Sequence, residues 1–268
     1  MGVCIALLLC SLPVPPAFSD AEAEAGRKTA AQWQDTVVTL QLVIKTSMSH
    51  GGEEGMKRES KSEATGAVID PSGLIVTSLS VTSPTDVFSS MMSSDSESKL
   101  DFSSELVDIK ILLPDGRELP AKIVLRDKDL DLAFIRPKQK PAKPLVAIDF
   151  TKATKPGLLD QAITLYRLGT VASRSLAACP DRIQAIVEKP RTFYIPGAAS
   201  MAASLGAPVF AADSSPIGLL LLRTIQTKSA DMSFFSGLSG MGLTYIVLPA
   251  ADILEAAKQA PQSAEEAK

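Results

Sequence analysis

Residues 107–125 read VDIKILLPDGRELPAKIVL, and this stretch decides the fold class. Val107, Ile109, Ile111 and Leu113 fall at every second position, Pro114-Asp115-Gly116-Arg117 follows, and Leu119, Ala121, Ile123 and Leu125 resume the alternation. A period of two sends successive side chains to opposite faces, and Pro, Asp and Gly are the residues a tight turn selects. The stretch therefore predicts a β-hairpin with its alternating apolar residues turned inward.

The same signal recurs on both sides. Val38, Leu40, Leu42 and Ile44 alternate with Thr39, Gln41, Val43 and Lys45, the pattern of a half-buried strand. A second hairpin is expected at residues 66–69 and 74–77 around the turn Asp70-Pro71-Ser72-Gly73. Further strands are expected at 161–168, 182–187, 208–210, 217–223 and 244–248, with one helix at 250–260 where Ile253, Leu254 and Ala257 share a side. Residues 50–62 are Gly- and charge-rich and read as loop, residues 83–104 as a long Ser-rich loop, 137–144 as a linker between halves and 237–242 as a flexible connection. Many short strands with regular turns and one terminal helix indicate an all-β protein built as barrels or a sandwich.

Composition narrows the function. The 268-residue chain is 46% hydrophobic, enough for a buried core, and its net charge of −3 offers no counter-charge to a phosphate backbone, which argues against nucleic acid. Residues 2–12 form an apolar run of signal-peptide length, too short to span a bilayer, followed by a Pro-rich break and small residues. Export with cleavage near Ser19 or Ala21 is expected, to the periplasm or the medium, with no membrane association afterwards. Cys10 invites a lipoprotein reading, which Leu9 opposes because a small residue is expected before a lipidated cysteine. The mature chain would keep Cys179 alone, without an internal disulfide, and the single His50 and the absence of paired cysteines give no metal or cofactor site.

Four motifs carry a family resemblance. Residues 64–81, ATGAVIDPSGLIVTSLSV, resemble the segment of HtrA-like trypsin-type peptidases that ends in Thr-Asn-x-His-Val. Residues 115–124 and 127–134 resemble the signature that carries the triad acid, and residues 203–210, ASLGAPVF, have the outline of the nucleophile loop. Residues 242–249, GLTYIVLP, resemble the lead into the terminal helix. The resemblance covers about residues 35–258 and implies a double antiparallel β-barrel of trypsin-like fold, with the cleft between barrels and no PDZ domain. It divides the chain into a signal peptide (1–19), a flexible lead-in (20–30), a first barrel (31–145), a second barrel with the C-terminal helix (146–260) and a tail (261–268).

Carried residue by residue, the resemblance puts Asp131 at the triad acid, Ser80 at the histidine, Leu205 at the serine and Ala203 at an oxyanion-loop glycine, with Ala207 replacing a second glycine. A serine hydroxyl is far too weak a base near neutrality, and leucine has no lone pair with which to attack a carbonyl. Asp131 is then expected to act structurally, with Ser80 donating its hydroxyl to it. Substitutes such as Ser204, His50, or Ser60 and Ser62 with Lys57 and Lys61 are poor candidates, because a lysine in a polar surface segment keeps a high pKa. The expectation is an exported, catalytically inactive peptidase-fold protein that binds protein or an extended peptide. The alternatives are an active serine endopeptidase with a displaced base and a secreted scaffold for surface loops.

Overall fold

The alternation at Val38, Leu40, Leu42 and Ile44 becomes the inner face of β1 (Val37–His50) in the computed structural model, which describes residues 20–50, 53–83, 100–224 and 243–266. With β2 (Glu53–Asp70), β3 (Leu74–Ser78), β4 (Leu100–Leu112), β5 (Glu118–Asp127) and β6 (Leu132–Pro137), it closes an antiparallel barrel in the order β1-β2-β3-β6-β5-β4. A second closed barrel, β10-β11-β12-β9-β8-β7, is built from β7 (Gln161–Arg167), β8 (Leu176–Val187), β9 (Phe193–Pro196), β10 (Pro208–Ala211), β11 (Pro216–Thr224) and β12 (Leu243–Pro249). Among the described residues two short helices flank the barrels, α1 (Asp20–Trp33) and α2 (Ala250–Ala257).

Each barrel has its own apolar filling, Leu40, Ile75, Ile111 and Ile135 in the first and Ile183, Val209, Leu220 and Val247 in the second. A further continuous cluster joins them, running from Val76 and Phe134 through Ile148 and Phe150 to Ile163, Phe210, Leu248 and Ile253 of α2. Polar groups reinforce the junction. The Arg167 guanidinium donates to the carbonyls of Val37 (2.9 Å) and Gln34 (2.6 Å), the Arg167 amide donates to Thr65 Oγ1 (3.2 Å), and Arg174 pairs with Glu63 at 2.6 Å.

Several expectations need correction. Residues 53–62 are strand, not loop: β2 pairs with β1 as far as Glu53 opposite His50, and β4 follows β1 out to Leu100 opposite His50. The signal was missed because residues 57–62 are exposed on both faces and so carry no apolar alternation. Residues 100–104, read as part of the Ser-rich loop, belong to β4, while 84–99, the 237–242 connection and residues 1–19 lie outside the described residues. Val107 is 53% exposed rather than inward, because the β1–β4 register shifts beside it, from Val43 opposite Asp108 to Ile44 opposite Leu106.

The segment read as a flexible lead-in is helical, α1, whose alanines favour the helix and whose Ala25, Ala30 and Trp33 pack on the inter-barrel core. The strands β6 and β9 carried no alternation, β6 because all six of its residues are buried. The terminal helix stops at Ala257, three residues short of the expected end.

Helix α1 is held by the chain's one tryptophan. Trp33 stacks on Phe210 with ring centroids 5.5 Å apart, its indole N–H donates to the Ser214 carbonyl at 2.9 Å, and the Thr29 and Ser214 hydroxyls meet at 2.9 Å. Replacing Trp33 with Phe keeps a stacked ring and loses one hydrogen bond, a cost of about 1 kcal/mol. Trp33→Ala loses the ring as well and costs about 3 kcal/mol. Urea denaturation followed by circular dichroism checks the order wild type, Trp33→Phe, Trp33→Ala.

Candidate functional site

Strand register assembles the site. Ser78 at the end of β3 lies opposite Leu132 at the start of β6, so one step further brings Asp131 against Leu79, whose amide donates to the Asp131 carbonyl at 2.9 Å. Asp131 sits in the β5–β6 turn in the left-handed region, φ +57°, which a short polar side chain tolerates better than most. Its carboxylate thereby faces the 3-10 turn Leu79–Val81 that follows β3.

Three hydrogen bonds reach that carboxylate. Oδ2 accepts from Ser78 Oγ at 2.6 Å, and Oδ1 accepts from the Ser80 amide at 2.8 Å and from Ser80 Oγ at 2.7 Å. The Leu222 amide of β11, which belongs to the other barrel, also favours its charged form. Burial pushes the Asp131 carboxyl above the ordinary 3.8, against the opposing pull of the Ser78 and Ser80 hydrogen bonds.

The loop at Leu205 meets β3 from the second barrel. Ala207 N–H donates to the Ser204 carbonyl at 3.2 Å, closing a tight turn with Leu205 and Gly206 at its corners. Gly206 has φ +82°, and a β-carbon there would stand 2.2 Å from Thr77 Oγ1 and 2.8 Å from the Thr65 carbonyl, so this position admits only glycine. That close approach sets Leu205, part-buried, beside the end of β3. Ser204 holds the first position of the turn, and its carbonyl is the acceptor.

Ala203 takes an ordinary extended conformation (φ −79°, ψ 158°), and its N–H donates to the Ser200 carbonyl at 3.1 Å, closing the 3-10 turn Ala198–Ala202. An oxyanion hole needs N–H groups that face outward, and the Ala203 amide is instead committed inside the protein.

The other candidates lie elsewhere. His50 is at the end of β1 opposite to Val37, paired with Glu53 and Leu100. Ser60 and Ser62 occupy one face of β2 and Lys57 and Lys61 the other, so alternation separates the Ser/Lys pairs. Cys179 lies in β8 as a free thiol whose pKa is raised, chiefly by burial and then by Asp181, which disfavours the reactive thiolate. Among the described residues no group of His, Cys, Asp and Glu side chains could hold a metal ion. Sequence reading missed Ser78, which stands at the asparagine of the Thr-Asn-x-His-Val motif, and the amide of Leu222, for which no side-chain signal exists.

The raised Asp131 pKa has a signed consequence. The folded carboxyl holds its proton more tightly than the unfolded one, so ionisation opposes folding. This group's unfavourable contribution is absent below 3.8 and grows as pH rises through the folded pKa. The stability gap between wild type and Asp131→Asn is expected to move in the variant's favour as pH is raised from the acid side of 3.8 towards neutrality, whatever constant offset the lost hydrogen bonds impose. Denaturation of both proteins across that range checks the slope.

The trypsin-like peptidase domain family matches residues 64–219, from β2 through β11 and over more than half of the chain. Among solved structures the chain is similar to the MamO protease domain from Magnetospirillum magneticum in its apo form, with a TM-score of 0.50, 16% identity, and coverage of 82% of this chain and 95% of that one. Comparison with curated proteins finds no match. With a match that runs through both barrels, and with the architecture of that protease domain, this chain belongs to the trypsin-like peptidase domain family.

Proposed function

We propose that this protein is an exported, catalytically inactive member of its family, in which the cleft between the barrels serves as a binding or regulatory module for an extended peptide or protein segment. The observation that carries this reading is the Asp131 carboxylate, engaged by three hydrogen bonds from Ser78 and Ser80 where an imidazole would have to dock. Leu205 at the nucleophile position and the committed Ala203 amide point the same way. In an unrelated protease, subtilisin, losing the nucleophile or the base alone costs on the order of a million-fold in kcat. Here both are replaced. Export rests on the apolar run at residues 2–12 and the small residues that follow it.

The binding role rests on what remains in the cleft. Leu205 presents a branched apolar side chain where active relatives hold substrate carbonyls, and burying it against a ligand contributes roughly 1.5–3 kcal/mol. Main-chain pairing of an extended ligand supplies the rest.

Two measurements test this reading. The purified protein is expected neither to cleave an unfolded casein-like substrate nor to label with a fluorophosphonate; labelling that vanishes in Ser204→Ala would establish an active enzyme with its nucleophile one residue earlier. In calorimetric titrations of a library of extended peptides, at least one is expected to bind, with affinity lost by roughly tenfold or more in Leu205→Asp, as removal of 1.5–3 kcal/mol requires. Binding indifferent to that aspartate would place the ligand outside the cleft.

A further inference from the structure

The extension of β2 beyond the barrel leaves an open strand edge. Among the described residues, β2 pairs with β3 only from Ala67 to Asp70, so residues 53–66 have β1 on one side and no strand on the other. Barrel closure removes sheet edges, and this ribbon restores one. Its side chains at 57–62 are exposed, and the sequence of residues 57–63 is KRESKSE. Edges are ordinarily guarded by charges that repel a second strand. Here the charges are arranged to attract one.

We propose that residues 57–63 of β2 pair antiparallel with the same residues of a second copy of this chain, about a two-fold axis through Ser60. In that register Glu59 faces Lys61 of the second copy and Lys57 faces Glu63, and the symmetry repeats both pairs, giving four complementary contacts on one face. Shifting the axis one residue either way sets like charges opposite each other: Lys57 against Lys61 when the axis passes through Glu59, Glu59 against Glu63 when it passes through Lys61.

The backbone has the matching orientation. The Thr46 hydroxyl donates to the Arg58 carbonyl at 3.2 Å, so that carbonyl faces β1, and by alternation the N–H and C=O groups of Glu59 and Lys61 face the open edge. In an antiparallel ladder those two residues then exchange both hydrogen bonds, once on each side of the axis. Ser60, at the axis, is small, and its hydroxyl turns back to the Ile44 carbonyl at 3.4 Å, which leaves the approach clear.

The other open edge, the outer part of β4, does not match. The register shift beside Val107 interrupts it, and Glu105 and Asp108 supply one sign of charge only. A seven-residue strand pair buries less than a standard interface, so the dimer belongs to the weak, reversible class.

Sedimentation velocity of the full chain from low micromolar to sub-millimolar concentration tests the proposal. Wild type is expected to show a concentration-dependent monomer–dimer equilibrium. Lys61→Glu sets carboxylates opposite each other at two symmetric positions and is expected to raise the dimer Kd about tenfold or more. The exchange Glu59→Lys with Lys61→Glu restores opposite charges in the same register and is expected to return the Kd to the wild-type range. Both residues are exposed, so circular dichroism should show all three proteins folded. A wild type that stays monomeric throughout overturns the proposal, as does a dimer that tolerates Lys61→Glu or is not rescued by the exchange.

Discussion

The carboxylate of Asp131 is the point on which both barrels converge. Its three hydrogen bonds come from the end of the first barrel's third strand and the turn after it, and the Leu222 amide of the second barrel favours its charged form from the other side. Taking such a group out of water is costly, and these polar partners are what offset that cost. Because the groups belong to separate barrels, the arrangement is complete only when the barrels are docked in this orientation. The cleft, the loop at Leu205 and the close approach of Gly206 to Thr77 all depend on that docking.

Under the proposed reading the residues at these positions form a chemically consistent set. A serine at residue 80 in place of an imidazole would leave an unsatisfied carboxylate unless its hydroxyl reached it, and it does, at 2.7 Å. The Ala203 amide finds a partner in Ser200. Leu205 sits on a turn whose geometry is fixed by a left-handed glycine. In that reading the loop keeps its scaffold while its polar atoms satisfy the protein itself.

How much of this could be read from the sequence depended on burial. Strands with one wet and one dry face, such as β1 with Leu40 and Leu42 inward, announce themselves by alternation. The ribbon at residues 57–62 is wet on both faces and β6 is dry on both, so neither alternates. Motif order was enough to set Ser80 beside Asp131, and the hydrogen bond between them is present. The Leu222 amide and the inward turn of the Ala203 amide are properties of backbone course, which side-chain identity does not report. Helix α1 escaped notice because its anchor, Trp33, reads as an isolated aromatic until Phe210 is brought beneath it.

That anchor sets an order of events during synthesis. Trp33 and Thr29 emerge early, whereas their partners Phe210 and Ser214 belong to the last third of the chain. Contacts so distant in sequence form late, because closing so long a loop must precede any gain from them. The helix that follows the apolar N-terminal run therefore has no docking site until the second barrel exists. Completion of the fold is tied to completion of the chain: α1 settles only as the last strands close.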